Sequence, residues 1–215
     1  MKSPAPEQQS KNHWYDGTFF DLCVAPNQDP IFAAVRAAIP PGSTVLDVGC
    51  GTGRLVFQLA EQCSMVRGID ASGRNIRRAR LLHTRRGKPP HIAFELTSIE
   101  AHLGGPHQKY DVGVISYVLH EVSEQQRVPM LRLLATAAQT VILADYRVPR
   151  RSGLTNVTTE VVERLAGREH YRGFRSFVRR GGLPGVVQEA GLHILGELTC
   201  AQQTAQVLRA AWAGP

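Results

Sequence analysis

Residues 44–53 read TVLDVGCGTG, and this stretch decides the fold. A short apolar run ends at Val48, alternate glycines follow at Gly49, Gly51 and Gly53, and RLVFQLAEQC then has helical character. Glycine reaches positive φ and lets backbone approach a ligand closely. The open N–H groups of the helix start favour an anion or a carboxylate. In an open α/β sheet, ligands bind beyond the carboxyl ends of the strands. The loop is not the dinucleotide fingerprint G-x-G-x-x-G, because position 54 is Arg54. It is not a P-loop either, since no G-K-[ST] follows.

Outward from the loop, strand and helix alternate. MVRGID (65–70) predicts a second strand, and a helix follows over 73–86. HIAFEL (91–96) predicts a third strand and YDVGVIS (110–116) a fourth. The helix in EQQRVPMLRLLATAA contains Pro129, which is expected to interrupt or bend it. TVILADY (140–146) predicts the fifth strand. These runs are apolar without alternation, as strands covered on both faces are. Upstream, DPIFAAVRAAIP (29–40) predicts a helix capped by Asp29, with Pro30 as its first residue. Downstream, a short helix runs from Leu183-Pro184 to Gly191, and LHILGELTC and TAQVLRAAW predict two last strands.

The expected class is α/β: a doubly wound, mostly parallel, seven-stranded Rossmann-like sheet with a helical insertion after strand five. One domain fills the chain. Residues 1–12 form a flexible tail and 13–40 an N-terminal helical cap in which Trp14, Tyr15 and Phe19 close one side. Residues 41–146 form the cofactor-binding core, 147–182 a lid-like insertion, and 183–215 the closing helix and strands. Within the insertion, 154–165 and 168–180 both carry apolar residues at helical spacing.

The 215 residues are 43% hydrophobic and 20% charged, a globular composition. Four cysteines without a C-x-x-C exclude a disulfide framework and fit a reducing, cytoplasmic compartment. The start, MKSPAPEQQSKNH, has no apolar core of a signal peptide, and no apolar run approaches the ~18 residues of a membrane span. The net charge of +7 is local. Residues 74–88 hold seven basic side chains and no acid, and 147–180 hold nine arginines against three glutamates. Such segments attract phosphate, acidic lipid or an anionic substrate, so the insertion is a candidate for peripheral membrane contact. His102 and His107 flank a Gly-Gly-Pro loop without acidic partners in sequence, and no metal site is expected.

Asp70 ends strand two about 20 residues past the loop, where a carboxylate accepts hydrogen bonds from ribose hydroxyls. A ribose without a pyrophosphate, plus a carboxylate or amine near the glycines, describes S-adenosylmethionine. With these residues, VLDVGCGTG, RGID, YDVGVISYVLHEV and ILADYRVP resemble the motifs of class I S-adenosylmethionine-dependent methyltransferases over about residues 29–200. VLHEV after strand four and DY-x-x-P after strand five are most similar to UbiE-like small-molecule methyltransferases. The resemblance implies that Gly49, Cys50, Gly51 and Gly53 shape the pocket for the methionine moiety. It implies that Asp47 holds the loop or the amino group, and that Asp70 and Ala71 meet the ribose. Family members often carry an acid after strand three near the adenine amine. Here Thr97, Ser98 and Ile99 stand there, so Ser98 or backbone must serve. Ser116, Tyr117 and Leu119 would lie beside the cofactor.

Methyl transfer from a sulfonium is an in-line displacement, in which the protein aligns the nucleophile and excludes water. A general base is needed where the acceptor is protonated. His120 follows strand four and is the candidate base or orienting group, or else a helix-start residue bonded to backbone. Tyr146 would line the acceptor pocket, with Arg147 beyond it for an anionic group. His170 and Tyr171, next to Arg172, stand on the lid as further catalytic candidates. The acceptor is expected to be a small, lipophilic or anionic molecule. Two other readings use the same residues: methylation of RNA or protein through the basic segments, and a non-catalytic module that keeps the cofactor fold and binds membrane or a partner. The D/N-P-P-Y signature of many enzymes that methylate base or glutamine amino groups is absent, which argues against nucleic acid.

Overall fold

The structure, a computed structural model, describes residues 28–105, 109–148 and 168–212, with side chains omitted at 168–170. The expectations for the tail at 1–12, for Trp14, Tyr15, Phe19 and His107, and for the helix at 154–165 lie outside these residues.

Strands β1 (Thr44–Val48), β2 (Met65–Asp70), β3 (Ile92–Leu96), β4 (Tyr110–Ser116), β5 (Ala138–Tyr146), β6 (Leu192–Leu198) and β7 (Ala205–Trp212) form one sheet. Its order is β3-β2-β1-β4-β5-β7-β6. All neighbours pair in parallel except β7, which runs antiparallel between β5 and β6. The order reverses between β1 and β4, and the crevice beyond their carboxyl ends is where such sheets take ligands. The seven-stranded, mostly parallel sheet expected from the sequence is the one observed.

Helices α1 (Asp29–Ala38), α2 (Arg54–Leu59) and α3 (Gly73–Arg85) cover one face. Helices α4 (Ile99–Leu103), α5 (Glu124–Ala137) and α7 (Gly182–Ala190) cover the other, and α6 (Arg168–Arg179) leads into α7. Adjacent strand residues serve opposite cores, which is why the runs do not alternate with polar residues. Val45 and Ile142 pack with Ile31, Val35 and Ile76, whereas Leu46, Val141 and Leu143 pack with Leu131, Leu134 and Val187.

Three local expectations change. Asp29 is the first residue of α1 and does not cap it; Gln28 holds the cap position without a side-chain bond. The Asp29 carboxylate instead takes both arms of Arg54 at 2.6 Å, because a bidentate charged pair outweighs a single backbone bond. Pro129 sits inside α5 without ending it. His102 does have an acidic partner: its Nδ1 lies 2.8 Å from Glu95 Oε2, and its Nε2 lies 3.1 Å from the Tyr110 hydroxyl.

Candidate active site

The β1–α2 turn carries positive φ at Gly49 (+75°), Gly51 (+56°) and Gly53 (+83°), as the sequence predicts. A Cβ on Gly49 would stand 2.2 Å from Val118 Cγ2, and one on Gly53 2.5 Å from the Phe94 ring. Only a bare backbone permits this closeness. Gly49 and Cys50 both donate from their amides to the Ile69 carbonyl, which pins the turn to the end of β2.

Asp70 closes the turn from the other side. Its Oδ2 accepts from the Gly51 amide at 2.8 Å and its Oδ1 from the Ser72 amide at 2.7 Å. A carboxylate oxygen can accept more than one hydrogen bond, so a group of this kind can also take hydroxyl donors. Asp47 lies under the turn and is 2% exposed. Burial, and then the charge of Asp70, push its carboxyl up to about 7. Burial likewise pushes the Cys50 thiol up. Ser98 spends its hydroxyl on capping α4 through the Ala101 amide, and Ile99 is buried. At the end of β4, the Ser116 Oγ is buried without a hydrogen-bond partner.

The next residue, Tyr117, adopts φ +56°. A bulky residue in that region is strained, and such strain gathers at functional sites. Its amide donates to the Ala144 carbonyl at 2.8 Å, which fastens the chain to β5 as it leaves the sheet. The chain then folds back over β5. His120 Nδ1 lies 2.7 Å from Asp145 Oδ1, and the His120 amide donates to Asp145 Oδ2 at 3.2 Å. The Tyr146 amide also donates to Asp145 Oδ1, at 2.8 Å. The two side chains are 3% and 0% exposed. A carboxylate accepts only, so pairing with Asp145 suits an imidazole whose proton is on Nδ1. Nε2 lies 3.8 Å from Glu121 Oε1.

Aromatic rings surround this imidazole. Tyr146 stands 4.8 Å from it, Tyr117 6.2 Å, and Phe174 and Phe177 of α6 6.4 Å each. Tyr117 and Tyr146 meet edge to face at 5.4 Å. Burial and the charge of Asp145 raise the Tyr117 phenol above its ordinary range. The structure therefore brings together His120, Tyr117 and Tyr146 of the predicted residues. Tyr171 is half-buried on α6, Arg172 is exposed, and the side chain of His170 lies outside those described. His120 precedes α5 by four residues and bonds a carboxylate, so it is not a helix-start residue held by backbone.

Sequence reasoning gave no role to Asp145, Phe174 or Phe177. The signal for Asp145 was its place beside Tyr146 on the rim where β4 and β5 end. The signal for the phenylalanines was their shared face between arginines.

A glycine turn that a Cβ would fill, a ribose-competent carboxylate at the end of β2 and an unpartnered hydroxyl at the end of β4 fit S-adenosylmethionine. Together, fold and site define the class I, Rossmann-like methyltransferases. A sequence pattern described as a methyltransferase domain matches residues 39–162, more than half of the chain. The chain belongs to this family of S-adenosylmethionine-dependent methyltransferases.

An uncharacterized methyltransferase of Mycobacterium tuberculosis is 32% identical over 140 residues, covering 63% of this chain and 68% of its own. The ubiquinone biosynthesis O-methyltransferase of Serratia proteamaculans is 33% identical over 81 residues, 38% of this chain and 33% of its own. Among solved structures, the mitomycin 7-O-methyltransferase MmcR shares the fold with a TM-score of 0.69 at 18% identity. The likeness covers 91% of this chain, which spans 57% of that one. The N-methyltransferase NodS of Bradyrhizobium japonicum has a TM-score of 0.60 at 16% identity, over 89% and 97% of the two chains. Among the described residues, no helix is long and apolar enough to cross a membrane, and no group of His, Cys, Asp and Glu could hold a metal ion.

Proposed function

We propose that this chain methylates a hydroxyl of a small aromatic acceptor, with His120 as general base and Asp145 as its partner. The contact between His120 Nδ1 and Asp145 at 2.7 Å carries this reading. A neutral amine attacks without a base, whereas a hydroxyl needs its proton removed as it attacks. A buried His–Asp pair supplies that function: the carboxylate fixes the tautomer and stabilises the imidazolium that forms. Relatives that share the fold methylate oxygen in one case and nitrogen in another, so the fold does not choose between them. The dyad does.

S-adenosylmethionine, when bound, supplies an electrophilic methyl carbon and leaves as a neutral thioether. Gly49, Cys50, Gly51 and Gly53 cradle its methionine end, and Asp47 beneath them meets the ammonium. Asp70 takes the ribose hydroxyls beside Ala71. Buried Ile99 would hold the adenine, with Ser98 or backbone there reading its edge. Ser116 and Tyr117 would stand beside the cofactor. With the cofactor bound, His120 Nε2 would take the proton of the attacking hydroxyl. Tyr117, Tyr146, Phe174 and Phe177 offer ring faces to an aromatic acceptor and keep water from the imidazole. The exposed Arg172, Arg175 and Arg179 on the outer side of α6 suit an anionic group on the acceptor or an anionic membrane surface that delivers it.

The test is incubation of the protein and S-adenosylmethionine with phenols, carboxylic acids, amines and RNA, read by mass spectrometry. Phenol methylation that falls at least ~100-fold in His120→Gln is expected, in line with the usual contribution of a general base. Methylation confined to amines or RNA, or an undiminished His120→Gln, would overturn the proposal.

A further inference from the structure

Arg127 on α5 is 1% exposed and, among the described residues, has no carboxylate in hydrogen-bond contact. Its Nε donates to the Leu119 carbonyl at 2.6 Å, and its Nη2 to the Gly173 carbonyl of α6. The third arm, Nη1, is buried without a partner. An unsatisfied buried donor on a cation is costly, so it persists only where the other bonds over-determine the site. Leu119 directly precedes His120. Gly173 lies against the other side of the same turn: a Cβ there would be 2.8 Å from the carbonyl oxygens of both His120 and Glu121. The guanidinium also stands 5.6 Å from the centre of the Phe177 ring, which itself packs on the imidazole. One buried side chain thus joins the turn that carries His120 to the helix that covers it.

We propose that Arg127 is a positioning residue: it bridges the carbonyls of Leu119 and Gly173 and so holds the His120 imidazole on Asp145 under α6. The proposal rests on His120 as the base, yet it concerns where the ring is held rather than what it does. Lysine has one ammonium in place of a planar fork, so Arg127→Lys keeps charge and stem but cannot span both carbonyls. Arg127→Met keeps the apolar stem and removes every donor.

The experiment is long-range 1H–15N correlation of the histidine rings in 15N-labelled full-length protein, with and without S-adenosylhomocysteine. The His120 signals are assigned by their loss in His120→Gln. In the wild type, His120 shows the Nδ1–H tautomer, with Nε2 unprotonated. In Arg127→Lys and Arg127→Met, the two ring nitrogens drift toward the averaged shifts of a free histidine, while S-adenosylhomocysteine affinity stays within about 2-fold, far less than a tenfold, 1.4 kcal/mol change. Folded variants that keep the wild-type tautomer pattern overturn the proposal. If neither variant folds, native-state hydrogen exchange of the wild type decides. The amides of Glu121, Val122 and α6 must then open as one unit, and separate opening overturns it. Failure of His120 as a base would show instead as undiminished turnover in His120→Gln, a readout independent of these spectra.

Discussion

Gly49→Ala asks whether the glycine turn needs its close approach to the chain after β4. Gly49 has φ +75°, where an alanine accepts about 1–2 kcal/mol of backbone strain. Its methyl would stand 2.2 Å from Val118 Cγ2, against the ~3.5–4.0 Å at which carbon atoms rest. Valine has few rotamers with which to escape. Val118, and the chain that runs from it to His120, must therefore move, at about 1–3 kcal/mol for such overpacking. The two costs together approach ~3–4 kcal/mol, a large part of the ~5–15 kcal/mol that holds a domain folded. Gly42→Ala separates them, because Gly42 has φ +82° and nothing within 4 Å of its would-be Cβ. That variant bears the strain alone. Urea unfolding of the wild type and both variants gives the stability terms, and calorimetry with S-adenosylhomocysteine gives the ligand term. We expect Gly49→Ala to lose ~2 kcal/mol more than Gly42→Ala, and to bind on the order of 30-fold more weakly if the shift is spent at the ligand site. Equal stability losses in the two variants, with ligand affinity unchanged in both, would show that the Val118 contact costs nothing.

Two further outcomes follow from buried carboxylates. Asp47 has a folded pKa of about 7 against an ordinary 3.8, so the native state binds the extra proton between those values. Stability from this group is full below its unfolded pKa, falls as pH rises toward 7 and is flat above; about three pKa units correspond to ~4 kcal/mol. Urea unfolding at pH 5 and pH 8 should show a drop in the wild type that Asp47→Asn lacks, and parallel profiles would contradict it. Asp145→Asn puts an amide, with one acceptor oxygen, where three donors converge. It also removes the charge that stabilises an imidazolium, so turnover should fall about 10³-fold or more with S-adenosylhomocysteine affinity kept. Turnover within tenfold of the wild type would dismiss the dyad.

The glycine turn was legible because it is local. Gly49, Gly51 and Gly53 lie within one turn, and each demands a backbone conformation that only glycine adopts cheaply. Asp70 is the last residue of the adjoining strand, so the β1–β2 pairing carries it to the turn. The apolar runs reported strands covered on both sides, and Gly191 reported the end of α7 through its left-handed cap. Asp29 was misread because a capping preference is about 1 kcal/mol, and a charged partner 25 residues away, Arg54, outweighs it.

The pairing of His120 with Asp145 was not legible, since it exists only after register is fixed. Ser116 of β4 pairs with Ala144 of β5, and Tyr117 donates to Ala144. That register puts Asp145 one residue beyond the pair and gives the chain after Tyr117 three residues in which to return His120 over it. A shift of β4 by one residue would reverse every side chain on it and carry His120 off the carboxylate. Nothing in VLHEV or in LADY encodes that coincidence alone; the core does. Val114 packs toward the α1–α3 face and Ile115 toward the α5 face, and both are fully buried. A slip would bury neither in its own core, so the packing that stabilises the sheet is also what sets the distance between imidazole and carboxylate. The same dependence applies to α6. Phe174 and Phe177 reach the imidazole only because Gly173 lets the helix backbone lie against the His120 and Glu121 carbonyls.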